Sequence, residues 1–315
     1  MSLNHKIFCF IQGYNAATYY GHLNTLNYPS LTTRSTLLKN YYSIMAKKDG
    51  SIVMFNHPGY KWGNFCEYDF WTESHDKAVN LAEIKGKSYD GEYALALTKG
   101  WHISPLYNED NHSANWGNAY EYCGYALAPS LTRQNIIEAF QKNRTYTTTD
   151  KTLKIYFKIN DEWMGARLNS PDKLKVSIQL ETQKAIGLGT VSLIGEDNIV
   201  VAQIKAGRAK TYNWEFEIDP LYDYYYVKVE SDPTWCVTAP IWIENREELT
   251  VTDISQELIT NALDNKDRRI TATIKNSFSE ALTGAVAYFY IAPPTGLNLN
   301  TVRQAYATVN IGSIA

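Results

Sequence analysis

The sequence predicts an α/β domain followed by antiparallel β-sandwich domains, so the chain combines an α/β part with an all-β part. Over the first 150 residues, short apolar runs that indicate strands alternate with amphipathic segments that indicate helices. This alternation is typical of a parallel α/β sheet or barrel. Later in the chain, short alternating strands are separated by turn residues, which is typical of an antiparallel sandwich. The expected domains are 1–150, 151–246 and 247–315.

In the α/β region, each expected element rests on an apolar run or on helical spacing. Strands are expected at 6–13, 51–55, 78–84 and 100–104, and helices at 33–47, 93–99 and 132–143. The last helix has Thr132 as its N-cap and turns Ile136, Ile137 and Phe140 inward.

In the β-rich remainder, strands are expected wherever apolar and polar residues alternate. These segments are 153–159, 173–181, 190–194, 199–205, 212–218, 224–230, 249–255, 268–275, 285–291 and 305–311. The domain at 247–315 is shorter than the roughly 100 residues of a typical sandwich. We therefore expect it to be incomplete.

Composition excludes some function classes. The 315 residues carry a formal net charge of −3 and 44% hydrophobic residues. This balance gives no general attraction to nucleic acid or to anionic membranes, so no nucleic-acid partner is expected. The four cysteines form no CxxC pair, so they indicate neither a zinc ribbon nor an evident disulfide framework. No segment is long and apolar enough to span a membrane.

Three polar loops follow expected strands, and they carry the candidate site. His22 follows a glycine near the end of the first strand, His57 follows the second, and Asp110 with His112 lies in a loop after a later one. In α/β folds, chemistry gathers at the carboxyl ends of strands. Imidazole and carboxylate groups on a common rim indicate a metal or acid–base site. The alternative, a loop of Asx turns with a hydrogen-bonded histidine, stays open.

These motifs resemble a known family. They are Gly21-His22-Leu23-Asn24, Phe55-Asn56-His57-Pro58, and the run from Gly100-Trp101-His102 to Asp110-Asn111-His112. In this order they resemble the later metal motifs of PHP-domain phosphoesterases, most closely the CehA-like metallohydrolases. Segment 131–148 resembles the helix and strand that follow in those proteins, and the likeness extends over residues 7–246.

The resemblance implies the C-terminal half of a distorted (β/α)7 PHP barrel, a TIM-like barrel, followed by one or two Ig-like antiparallel β-sandwich domains. It implies divalent metal ions (Zn, Mn or Fe) and hydrolysis of a small phosphorylated substrate by metal-activated water. By the same resemblance, His22, His57, Asp110 and His112 are expected metal ligands, and Asp110 and His112 are expected catalytic residues.

Three further residues are weaker candidates for contact with substrate. Arg144 has a guanidinium group that pairs bidentately with phosphate, and Glu83 ends an expected strand. Asn15 stands where the family places a bridging glutamate, and a neutral amide is a weak ligand for a transition metal.

The chain also departs from the family pattern. Nothing before His22 contains the His-x-His strand with which the family opens. We therefore expect either a fragment of a longer hydrolase or a relative without catalysis. A half-barrel exposes open sheet edges, so self-association or a missing N-terminal segment is expected to cover them. The alternative function is a non-catalytic cell-surface binding protein that uses its β-sandwich domains, and such domains favour an extracellular location.

Overall fold

The computed structural model describes residues 13–18, 20–28, 36–59, 61, 63–115, 119–244, 249–258, 268–276, 282–289 and 307–314. The chain forms two compact units, Met1–Glu244 and Asn245–Ala315. The expected strand at 6–13 lies outside the described residues except for its last position.

Four α-helices occur within the described residues. They are α1 (Leu38–Met45), α2 (Glu73–Asp76), α3 (Asp90–Thr98) and α4 (Arg133–Gln141). The expected N-cap of α4 is confirmed, because the Thr132 hydroxyl accepts a hydrogen bond from the backbone N–H of Asn135 at 3.2 Å. None of the described helices reaches the length and apolar character that crossing a membrane requires.

The first sheet contains five strands in chain order. They are β1 (Gly13–Thr18), β2 (Gly21–Leu26), β3 (Ile52–Asn56), β4 (Val79–Glu83) and β5 (Ser104–Leu106). β1 and β2 form an antiparallel hairpin, β2 is antiparallel to β3, and β3, β4 and β5 are parallel to one another. α1, α2 and α3 lie between consecutive strands of this sheet along the chain.

The predicted half of a (β/α)7, TIM-like barrel is wrong. The first sheet is open and mixed, and strands far outnumber helices among the described residues. The error arises at His22, which is expected in a loop after a strand. It lies instead in strand β2, and the antiparallel pairing of β2 on both sides is incompatible with the all-parallel order of such a barrel.

The remaining strands of the first unit form two further sheets. They are β6 (Cys123–Ala126), β7 (Thr145–Thr148), β8 (Lys154–Ile159), β9 (Glu162–Trp163), β10 (Arg167–Asn169), β11 (Leu174–Glu181), β12 (Gly189–Ile194), β13 (Val200–Gly207), β14 (Thr211–Ile218), β15 (Tyr224–Ser231), β16 (Thr234–Thr238) and β17 (Ile241–Glu244). β8, β9, β11 and β14 make a four-stranded sheet, and the others make an eight-stranded sheet. The strands expected in this region are confirmed.

Strands β7, β16 and β17 and the first half of β15 are buried on both faces of the eight-stranded sheet, which explains their apolar runs. Alternate residues of β15 belong to different cores. Tyr225 and Val227 pack with Phe157 and Ile178 of the four-stranded sheet, forming a sandwich. Tyr224 and Tyr226 face the other way, into a cluster that includes residues of the first sheet.

The second unit contributes two antiparallel hairpins to the described residues. One pairs β18 (Leu249–Leu258) with β19 (Arg268–Asn276), and the other pairs β20 (Leu282–Phe289) with β21 (Ala307–Ile314). The β-rich character expected for this part of the chain is confirmed. Its expected incompleteness stays a prediction.

Candidate functional site

Two predicted ligands, His22 and His57, are in contact. His22 is the second residue of β2, and His57 directly follows β3. Because β2 runs antiparallel to β3, the start of β2 lies beside the end of β3, and the register pairs His22 with Asn56. His22 Nδ1 lies 3.2 Å from His57 Nε2, and the ring centroids are 4.8 Å apart.

Glu83 joins this histidine pair from the end of β4. Its carboxylate is fully buried, and Oε2 accepts a hydrogen bond from the backbone N–H of His57 at 2.5 Å. Oε1 forms an ion pair with Lys85 Nζ at 2.7 Å. Burial raises the pKa of Glu83, although the hydrogen bond and positive charge of Lys85 oppose this shift. Glu83 thus anchors the backbone of His57 rather than extending toward solvent.

Asp110 lies close enough to influence the pair electrostatically. Its negative charge acts to raise the pKa of both His57 and Glu83. Burial and the neighbouring His22 nevertheless lower the pKa of His57 overall. The neutral imidazole that this favours is the form that binds a metal ion or accepts a proton.

His112 is not part of the described cluster. Its side chain is exposed, and its Nδ1 lies 3.0 Å from the backbone oxygen of Asp110. In this hydrogen bond Nδ1 carries the proton, because a carbonyl oxygen only accepts. The contact positions the ring on its own loop, so the structure does not bring together all four predicted ligands.

The three weaker candidates lie in different places. Glu83 reaches the histidine pair, whereas Arg144 lines a cavity whose lining includes neither histidine. The side chain of Asn15 lies outside the described residues, but its backbone is paired with Asn24, two residues beyond His22.

Sequence reasoning missed Asn56 and Lys85. Asn56 is 1% exposed, and neither its amide oxygen nor its amide nitrogen has a hydrogen-bond partner among the described residues. As the cross-strand partner of His22, it lies on the same face of the sheet. A buried amide without partners is rare and calls for an explanation such as a ligand. The sequence did contain a signal for the burial of Asn56. Apolar residues run unbroken up to it, which is typical of a strand buried on both faces.

The distance between the two imidazole nitrogens suits a shared metal ion. Two nitrogens that bind one zinc ion at about 2.0–2.1 Å lie roughly 3.3 Å apart at the tetrahedral angle. The separation of His22 Nδ1 and His57 Nε2, 3.2 Å, fits this value. Among the residues that the structure describes, however, no group of three or more His, Cys, Asp and Glu is arranged to hold an ion. The pair therefore supplies a two-nitrogen site, and the predicted four-ligand cage is not assembled.

No protein-family model matches the chain, and no curated protein matches it. The likeness to PHP-domain phosphoesterases therefore rests on the motifs alone and stays a prediction.

Proposed function

We propose that the chain hydrolyses phosphate esters with a divalent ion held by His22 and His57. The observation that carries this proposal is the 3.2 Å separation of two imidazole nitrogens from different strands. The buried amide of Asn56 and the resemblance of the motifs to PHP-domain phosphoesterases support the same site. Such an ion supplies Lewis acidity that makes water nucleophilic near neutral pH and offsets negative charge on phosphoryl oxygens.

The roles of the chain's own residues follow from their contacts. Glu83 fixes the backbone of His57 and so aims its ring at His22. Burial is the main cause of the lowered pKa of His57, and the lowered pKa favours the neutral ring, in which one nitrogen carries no proton. Asp110 adds negative charge beside the pair, which favours a bound cation.

The second candidate is binding without catalysis through the β-sandwich, and it gains from one observation that weakens the metal site. Lys85 neutralises Glu83, so the buried carboxylate at the site is already paired with a cation. A site of two imidazoles alone binds metal more weakly than the three protein ligands usual in catalytic zinc sites.

The deciding experiment measures metal and turnover together. The 315-residue chain is equilibrated with Zn²⁺, Mn²⁺ or Fe²⁺, dialysed, and analysed for metal and for hydrolysis of 4-nitrophenyl phosphate. We expect about one bound ion per chain and measurable turnover, both lost in His22→Ala and His57→Ala. His75→Gln is the matched control. His75 is a buried imidazole whose ring nitrogens contact the Ser43 hydroxyl and the backbone oxygen of Phe70, and it is not a predicted ligand.

Each result bears on one candidate. Stoichiometric metal that survives in His75→Gln but not in the two alanine variants establishes the pair as ligands. Absence of both metal and turnover in the unmodified protein refutes the hydrolase and leaves the binding candidate. His112→Ala then reports whether the Asp110 loop contributes a further ligand.

A further inference from the structure

The cavity lined by Arg144 has a volume of about 470 Å³ and lies at an open edge of the sandwich in the first unit. Its walls come from β6 and β7 at one edge of the eight-stranded sheet, and from β8 and β9 at the edge of the four-stranded sheet. Its size falls within the range of small-molecule sites, about 300–1,000 Å³. Its lining includes none of His22, His57, Glu83 or Asp110, so its occupant is independent of the proposed hydrolysis.

Four aromatic side chains contribute to the walls of this cavity. Tyr125 stacks on Tyr146 with centroids 4.8 Å apart and planes at 11°, and Tyr156 meets Trp163 at 6.1 Å. Lys158 lies 4.2 Å from the centroid of the Trp163 ring and so helps to hold it. Much of the remaining lining is aliphatic, which favours an apolar planar ligand over one rich in hydroxyl groups.

The charge in the cavity comes from Arg144 and Lys154. Lys154 is paired with Glu181 at 3.3 Å. Arg144 is partly buried, and in the part of the chain that the structure describes no carboxylate lies within ion-pair distance of it. The hydrogen bond and charge of Lys142, and more weakly the charge of Arg144, lower the pKa of Glu138 on α4, so Glu138 lies near the guanidinium without forming an ion pair with it. A guanidinium that lines an aromatic cavity without a direct ion pair is complementary to a carboxylate, with which it pairs bidentately.

We propose that this cavity binds an aromatic carboxylate. The carboxylate pairs with the guanidinium of Arg144, and the ring packs against the tyrosines and Trp163. The pairing is charge-assisted and partly screened from water, so it contributes more than a surface ion pair does.

The test uses 1-naphthoate as the probe and isothermal titration calorimetry as the measurement. We expect saturable one-to-one binding that weakens about tenfold or more in Arg144→Gln. Arg133→Gln is the matched control. Arg133 is an exposed arginine at the start of α4 that bonds to Asn27, and its replacement should leave binding unchanged. Thermal unfolding of each variant checks that the fold is intact.

Three outcomes overturn the proposal. If 1-naphthamide binds as tightly as 1-naphthoate, the guanidinium does not recognise a carboxylate. If glucuronate binds more tightly than 1-naphthoate, the site belongs to a sugar acid. If Arg144→Gln and Arg133→Gln weaken binding equally, the naphthoate binds elsewhere. Any of these results refutes the aromatic carboxylate, and the metal experiment is unaffected by all three.

Discussion

At the residue scale, two predicted site residues have unusual backbone conformations. His57 has φ of 31° and Asp110 has φ of 48°, in the left-handed region that non-glycine residues seldom adopt. Such conformations cost about 1–3 kcal/mol each and persist only where surrounding contacts impose them. For His57 that contact is the hydrogen bond to Glu83. Strain retained at both positions is consistent with a site that needs these side chains in fixed places.

The lowered pKa of His57 predicts a pH effect on stability in protein freed of metal by chelation. Because the folded-state pKa lies below the unfolded value of about 6.5, this residue's contribution is fully present above that value. It is lost as pH falls through the folded-state pKa. The free energy of unfolding in urea should fall less between about pH 7.5 and about pH 5 in His57→Gln than in the unmodified protein.

The control for this measurement is His112→Gln, since His112 is exposed on its loop and outside the described pair. Its pH dependence should match that of the unmodified protein. If the free energy of unfolding falls equally in the unmodified protein and in His57→Gln, the effect does not belong to His57.

At the element scale, the segment between β3 and α2 contains a left-handed turn. Phe65, Cys66, Glu67 and Tyr68 have consecutive φ values between 55° and 60°. For L-residues this costs about 1–2 kcal/mol per residue. Burial compensates, because Phe65 and Tyr68 are almost fully buried and each contributes roughly 1.5–3 kcal/mol. Trp101 adds a hydrogen bond from Nε1 to the backbone oxygen of Tyr68 at 2.8 Å.

This turn predicts that one substitution has opposite effects at two exposed glutamates. Glu67→Gly should keep or raise the free energy of unfolding by up to about 1 kcal/mol, because relief of the left-handed strain exceeds the entropy of glycine in the unfolded chain. Glu73→Gly, in α2 and paired with Lys77, should lower it by about 1 kcal/mol. Urea unfolding measures both, and equal destabilisation would show that the turn is not strained.

At the scale of the whole molecule, the first sheet and the eight-stranded sheet share one hydrophobic core. One hydrophobic cluster contains Leu23 and Phe55 of the first sheet together with Tyr226, Trp235 and Trp242 of the eight-stranded sheet. Two buried clusters fill the remaining layers, and their members among the described residues also belong to this unit. The histidine pair thus rests on a sheet whose core depends on strands more than 150 residues later.

This packing predicts how truncated chains behave. Residues 1–244 should unfold in a single cooperative transition and keep the metal content of the full chain, because the three clusters remain whole. Residues 1–150 should lose cooperativity and bind a hydrophobic dye, since Tyr226, Trp235 and Trp242 no longer cover the first sheet. Calorimetry and dye fluorescence check both, and a cooperative 1–150 fragment would contradict the shared core.

At the candidate site, the contact between His22 and His57 arises from a strand direction that the sequence reasoning did not predict. His22 and His57 were expected to lie on one rim because both follow parallel strands. They do meet, but only because β2 returns antiparallel to β3 and places its first residues beside the last of β3. The sequence did not indicate Lys85 as a site residue, because a lysine after a strand is normally solvated. Its contact with the site is the ion pair with the buried carboxylate of Glu83.

The sequence by itself determined the local elements. The Thr132 cap and α4, the strands of the sandwich and the β-rich second unit follow from residue spacing, because capping and alternation act between near neighbours. Only the tertiary structure decided strand direction, the burial of Asn56 and Glu83, and the cavity around Arg144. These depend on contacts between residues far apart in the chain, and local periodicity is the same whether a strand pairs parallel or antiparallel.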